Sequence, residues 1–274
     1  MQMPNTLLSD VKRRTKLLLS MVRRPWMTAD RLAGGLTALG VRPGGVLMVH
    51  SSLKSLGFVP GGPETVIAGL RKALGPEGTL VMPTHTWEWM GKGLRTFDAQ
   101  KTPSCVGTIT EVFRGLPGVV RSLHPTHSVA AIGARADWIV EGHENAATPC
   151  GEGTPYAKVI EEGGQILFLG CGLDRNTAFH TLEALANVPY FLRTDAETFE
   201  LIDARGESIE RTLRRHQEHI PRRFREMEPT LAEAGALVRG QVGPARCLVV
   251  DSRKMCDVLL PKLAQDPQLM VAAK

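Results

Sequence analysis

QILFLGCGLDRNTAFHTLEALANVP, residues 165–189, is the stretch whose reading organises the rest of the chain. Ile166 to Leu169 form a short apolar run bounded by glycines, the pattern of a buried strand. Gly170, Gly172, Asp174 and Asn176 break that run, and either Asp174 or Asn176 can N-cap a helix over about 177–187 that stops before Pro189. His180 and Glu183 then stand at i and i+3 in the opening of the helix, so both side chains point the same way. A strand end that feeds a helix carrying an imidazole and a carboxylate on one face is a place where open α/β sheets put ligands. A capped helix with two solvated polar residues satisfies the same spacing, so the pattern alone names no chemistry.

The flanking segments repeat the strand–turn–helix alternation. Residues 28–39 read as a helix capped by Thr28 and ended by Gly40, and residues 45–50 as a strand. Ser51, Ser52, Gly57, Gly61 and Gly62 make a small-residue loop ahead of a helix that starts with Pro63 and Glu64, both favourable start signals. Such a loop can offer N–H groups and hydroxyls to an anion, although it is neither a Walker loop nor a GxGxxG fingerprint. A second strand over 78–84 leads into His85, Trp87, Glu88 and Trp89, where two indoles around a carboxylate can wall a pocket or pack on a core edge. Residues 92–104 read as a polar loop, 106–116 as a helix and 127–133 as a strand, with Arg121, Ser122, His124, His127 and Ser128 gathered around Pro125. Helices over 136–141 and 155–162 precede the opening stretch. Beyond it come a hairpin over 198–204 and 207–212, a charged run over 214–228, a helix from Thr230, a strand over 246–250 and a helix over 252–263. Strands alternating with helices give an α/β fold with helices on both faces of the sheet, and the hairpin and last strand make that sheet mixed.

Composition narrows the partners. The chain has 274 residues, 43% of them hydrophobic, and no apolar run approaches the ~18 residues of a membrane span. Basic residues alternate with leucines over 11–24, but Asp10 and the lack of a small-residue cleavage site argue against a secretory signal. Residues 1–25 are therefore expected to form an amphipathic helix packed on a single domain. Cys105, Cys150, Cys171, Cys247 and Cys256 form no CxxC pair, which suits reduced thiols in the cytoplasm. The net charge of +5 is interleaved with carboxylates and comes with no nucleic-acid motif, so a phosphate-bearing cofactor is a more economical anionic partner than a polynucleotide.

Several blocks in order resemble the antibiotic N-acetyltransferase family, whose best-known members are the aminoglycoside 3-N-acetyltransferases. They are VHSSLKSLGFVPGGPETVIAGLRKALGPEGTLVMPT, GTITEVFR, RSLHPTHSVAAIGARADWI and the run from GEGTPYAKVIEEGG through the opening stretch to Tyr190, with GQVGPARCLVVDSRKMCDVLLPKLAQDP closing the chain. The resemblance implies an α/β sandwich, acetyl-CoA as co-substrate, no metal, and a small amine acceptor such as an aminoglycoside. It carries the catalytic H-x-x-E onto His180 and Glu183, with the preceding Asp on Asp174. It carries CoA binding onto Ser51, Ser52, Gly57, Gly61 and Gly62, and the R-S-x-x-P block onto Arg121, Ser122 and Pro125, with Ser128 beyond. Residues 191–230 fall as a hairpin and charged insertion on the acceptor side; association into a homodimer is left open. Cys150 stands where the resistance enzymes are expected to carry an aromatic residue. The arginines after Tyr190 (Arg193, Arg211, Arg214, Arg215, Arg222, Arg223 and Arg225) are a poor lining for a polycation.

Three chemistries compete on these residues. In the first, His180 takes the proton of the amine as it attacks the thioester, with Glu183 or Asp174 orienting it. In the second, Cys171 past the strand end is a thiol nucleophile with His180 as its base, in an acyl transferase or hydrolase. In the third, His85, His124, His127, His180 and Glu183 ligate a hydrolytic metal, although only the close pair His124 and His127 has a metal-like spacing. A non-catalytic aminosugar-binding module would need neither the anion loop nor the His–Glu pair.

Overall fold

The computed structural model describes residues 26–217 and 220–272, so the helix expected over 1–25 lies outside the described residues. The described chain enters α1 (Ala29–Ala38), where the Thr28 hydroxyl accepts the Arg31 N–H at 3.3 Å as its N-cap. Then come β1 (Val46–Ser51), α2 (Gly62–Leu74), β2 (Thr79–Pro83), α3 (Trp87–Gly91), β3 (Thr96–Asp98) and α4 (Thr108–Arg114). The middle of the chain supplies β4 (Val120–Arg121), β5 (Val129–Gly133), α5 (Ala136–Val140), α6 (Pro155–Glu161), β6 (Gln165–Leu169) and α7 (Phe179–Leu185). The last third holds β7 (Leu192–Ile202), β8 (Ser208–His216), α8 (Met227–Glu233), β9 (Leu237–Val242), β10 (Ala245–Asp251) and α9 (Ser252–Gln265).

Seven strands make the main sheet in the order β4-β5-β2-β1-β6-β10-β9. β2, β1 and β6 run parallel at its centre, with Met48 facing both Val81 and Ile166, while β5, β4, β10 and β9 join antiparallel. Alternate side chains of the central strands serve two cores. Met48, Val81, Ile166 and Phe168 pack with α5 to α9, whereas Leu47, Val49, Leu80 and Leu167 pack with α1, α2 and α4. That division is why these strands read as unbroken apolar runs: each is buried on both faces.

Four features differ from expectation. The hairpin does not join the main sheet; β7 and β8 pair with β3 in a second, three-stranded sheet around Phe97, Phe199 and Leu201. The loop expected over 92–104 therefore contains β3, a strand of three residues, too short to show alternation. β9 was not anticipated because it is an edge strand with only Leu237 and Val242 buried. The helix of the opening stretch is also shorter than 177–187. Asp174 sits in a 3₁₀ turn, and the Asn176 side-chain oxygen accepts the Ala178 N–H at 3.2 Å, so Asn176 fixes the turn before α7 and does not cap it.

The carboxyl ends of β2, β1 and β6 stand side by side. The chain leaves β1 for β2 on one flank, and β6 lies on the other, which makes this end of the sheet a topological switch point. Among the described residues no helix is long and apolar enough to cross a membrane.

Candidate active site

A cleft of about 790 Å³ opens at that switch point. Ser51 at the end of β1 and Ser52 and Lys54 after it line the cleft, with His85 after β2, and Gly170, Cys171, Asp174 and His180 after β6. Gly170 has φ +76°, and a Cβ there would sit 2.4 Å from Ser55 Cβ, so glycine is required for the loop after β1 to close against the end of β6. The contact is sealed by the Ser55 hydroxyl, which donates to the Gly170 carbonyl at 2.8 Å. His50 forms part of the wall, its ring stacked on Phe168 with centroids 5.1 Å apart. Burial, with the positive charge of Arg175 adding to it, pushes the His50 pKa down to about 3, and its buried Nε2 has no protein partner.

A second cavity, of about 550 Å³, is lined by Trp87, Glu88, Thr126, Arg215, His216 and Arg222 among others. β8 delivers Arg215 and His216 at its end, so the second sheet builds this chamber. Trp87, His127 and His180 line both cavities, and His180 therefore stands where cleft and chamber meet. Of the two tryptophans, Trp87 faces this wall, while the Trp89 indole donates to the Pro103 carbonyl at 2.8 Å.

His180 and Glu183 meet as their spacing predicts: Nδ1 lies 2.5 Å from Glu183 Oε2. With Nδ1 engaged, Nε2 is the nitrogen left for a ligand. Glu183 is fully buried, and its other oxygen lies 3.2 Å from Arg222 Nη1, an ion pair without hydrogen-bond alignment. Arg222 also lies over the Tyr190 ring, 5.2 Å from its centroid. The carboxylate is thus compensated on both sides, as a buried charge must be. Arg222→Met removes one side and is expected to cost about 3 kcal/mol of stability, the low end for breaking a buried pair, because His180 still holds the other oxygen. Glu183→Gln in the same background should recover most of that loss in a denaturant titration; no recovery would mean that Arg222 acts by packing alone.

Asp174 is separate from this pair. Its carboxylate meets Arg225 Nε at 2.8 Å and Arg175 Nε at 3.3 Å, and although partial burial opposes ionisation, the Arg225 hydrogen bond holds its pKa below the usual value. The remaining arginines after Tyr190 are mostly matched in the same way: Arg193 with Asp195, Arg215 with Glu197 and Arg223 with Glu226. The excess of positive charge read from the sequence is largely neutralised in place, and the chamber is less hostile to a polycation than expected.

The block around Pro125 is built into the frame of the fold. Arg121 donates to the Ala99, Thr102 and Thr84 carbonyls, lies over Phe97, and so ties the second sheet to the first. Ser128 is fully buried and donates to the Thr84 carbonyl at 2.8 Å. Ser122 accepts the Val129 N–H and lies 2.9 Å from His143 Nδ1; His143 Nε2 donates to the Pro149 carbonyl, so Ser122 is the donor in that pair. None of the three, which the resemblance places among the CoA-binding residues, lines the cleft; their polar atoms bond within the frame. Gly57, Gly61 and Gly62 likewise lie outside the cleft lining, leaving Ser51 and Ser52 as the members of the loop that reach it.

The rival residues also resolve. Cys171 lines the cleft, but burial and the neighbouring Asp174 push its pKa up to about 12, which keeps it a thiol. His85 Nε2 lies 2.7 Å from the Tyr156 hydroxyl, which itself donates to the His127 carbonyl, so His85 is the donor. His124 Nδ1 accepts the N–H groups of Thr126 and His127. Both imidazoles are buried neutral structure and do not join His180 and Glu183 in one ligand set. The reading of the sequence missed His50, His216 and Arg222. His50 had a signal, a histidine at the carboxyl end of a central strand; the other two are brought in by folding of the hairpin and the segment after it.

A family model described as aminoglycoside 3-N-acetyltransferase matches residues 48–264. Aminoglycoside N(3)-acetyltransferase IV of Salmonella sp is 36% identical over 248 residues, 90% of each chain. Aminoglycoside N(3)-acetyltransferase VII of Streptomyces paromomycinus is 35% identical over 200 residues, 67% of this chain and 68% of its own length. Among solved structures, a histidine-to-alanine variant of aminoglycoside acetyltransferase AAC(3)-IVa in complex with gentamicin superposes with a TM-score of 0.79 at 33% identity, covering 91% of this chain and 93% of that one. AAC-IIIb in its binary complex with CoASH gives 0.75 at 28% identity, covering 88% and 97%.

Proposed function

The chain belongs to the aminoglycoside 3-N-acetyltransferase family and is an N-acetyltransferase with acetyl-CoA as co-substrate, and we propose that it acetylates an amine of an aminoglycoside by direct attack on the thioester. The observation that carries this reading is the position of His180 on the wall shared by cleft and chamber, with Nδ1 anchored by Glu183.

The cleft suits the co-substrate. His50 Nε2 is a buried polar atom left without a protein partner, and Ser51, Ser52 and Lys54 offer hydroxyls and a cation near the mouth. Acetyl-CoA supplies an activated acyl group on a good leaving thiolate. The remaining work falls to the chain: Trp87 offers an aromatic face to a cationic sugar, and His180 accepts the amine proton through Nε2. Glu183 holds the ring and balances its charge, with Arg222 beside its other oxygen. Asp174 lines the co-substrate cleft and not the chamber, and its carboxylate is already paired with Arg225 and Arg175. A protonated, half-buried Cys171 speaks against an acyl-enzyme on that thiol.

Two measurements test the reading. Thiol release from acetyl-CoA should appear with aminoglycosides and be faster than with simple aminosugars, nucleotide amines or amino-phosphonates; turnover of those compounds with no aminoglycoside turnover would sink the acceptor assignment. Acetyl-CoA at 100-fold its Kd should stabilise the protein by about 2.7 kcal/mol, or roughly 5–10 °C in Tm. Ser52→Asp, which sets a carboxylate against the phosphates, should lose most of that shift, and an undiminished shift would move the phosphate site elsewhere.

A further inference from the structure

Beside His180, three side chains that acetyl transfer does not use come together. His127, Cys150 and His216 each offer one ligand atom, and the three atoms lie within 4.8 Å of one another. They come from separate parts of the fold: the residue before Ser128 and β5, the turn ahead of α6, and the end of β8. Their exposures are 8%, 0% and 9%, so the cluster is enclosed. Thr126 Oγ1 lies 2.8 Å from His127 Nδ1, which orients the ring and leaves Nε2 open to a ligand. His216 Nε2 is buried with no protein partner, the kind of orphaned atom that native interiors rarely leave without a reason.

We propose that His127, Cys150 and His216 bind a thiophilic divalent cation, with zinc the fitting ion, at the floor of the acceptor chamber. Two imidazoles and a thiol suit zinc or cobalt and exclude the oxygen-seeking magnesium and calcium. Zinc holds nitrogen at ~2.0–2.1 Å and sulfur at ~2.3 Å, so the ligands must close in by no more than about 1 Å, within reach of small side-chain rotations. Binding exchanges the Cys150 thiol proton, which passes to solvent, for a sulfur–metal bond. Three protein ligands leave a fourth position, and the two histidines line the chamber on the side from which the acceptor amine reaches His180. The His180 and His216 ring centroids are 4.5 Å apart. An ion in this site therefore stands in the acceptor's place and inhibits acetylation. That consequence rests on the proposed role of His180, whereas the binding itself does not.

The test uses the tag-free protein, stripped with a chelator and titrated with cobalt. It should take up a single equivalent with a thiolate-to-cobalt charge-transfer band in the near ultraviolet, and zinc should displace it. Cys150→Ser should lose the band, while Cys171→Ser should keep it. His216→Gln retains the Cys150 thiol and an intact strand end and should bind cobalt at least ~10-fold more weakly. A wild-type protein with no such band, a band that survives in Cys150→Ser, or unchanged affinity in His216→Gln would each overturn the proposal. Zinc should also inhibit thiol release, and chelation should restore it; a band without inhibition would keep the metal site and remove its effect on acetylation.

Discussion

His180→Ala lowers kcat by ~10²-fold to ~10⁴-fold and leaves acetyl-CoA binding nearly intact, the weight expected of a positioned general base. The separation follows from the geometry. His180 stands on the wall between the two cavities, whereas Ser51, Ser52 and Lys54 come from the end of β1 and the loop after it. Single-turnover rates give the chemical step, and a thermal shift with acetyl-CoA gives the binding. Glu183→Gln should slow turnover less, because the amide still bonds Nδ1 while losing the charge that balances an imidazolium. A loss confined to the acceptor's KM would instead make Glu183 an ammonium site. Cys171→Ser should remain active, since its thiol is protonated by burial. A competent His180→Ala enzyme beside a dead Cys171→Ser one would reverse the roles.

Acid destabilises the fold through histidines that must stay neutral. Burial, the largest cause for each, pushes His50 and His85 down to about 3 and His143 down to about 4. In the unfolded chain each titrates near ~6.5. Between that value and about pH 4 the unfolded state binds protons that the folded state refuses, so stability is full above pH ~6.5 and falls as pH drops through this window. Each group removes up to about 1.4 kcal/mol per pH unit, and the three together about 4 kcal/mol. Urea midpoints measured from pH 7.5 to 4.5 should fall steeply below 6.5. His143→Gln, which can keep a bond to the Pro149 carbonyl, should flatten the slope by its own share, up to about 1.4 kcal/mol per pH unit. A midpoint constant down to pH 5 would show that these rings are solvated and not buried.

Local pattern was sufficient wherever one element carries the information. The apolar runs of β1, β2 and β6 identify interior strands because both faces of each meet a hydrophobic core. Thr28 marks the start of α1 because its hydroxyl satisfies an N–H of its own first turn. His180 and Glu183 are three residues apart on one helix, so their meeting is a property of helical geometry and is legible before any fold is known. Short or edge strands were not legible. β3 has no length to alternate, and β9 buries too little to show a face.

What the sequence by itself determined is therefore the α/β alternation, the central strands, the His–Glu pair and the family. The tertiary structure decided what surrounds that pair. Arg222 and His216 reach the site only because β7 and β8 fold against β3 and carry the chain back across α7. Tertiary contacts also decide where the polar atoms of Arg121, Ser122 and Ser128 go: they bond carbonyls, an N–H and an imidazole within the frame. Periodicity reports which way a side chain leaves its own element. Whether it then finds solvent, a carbonyl or another charge depends on segments distant in the chain, and only packing brings those together.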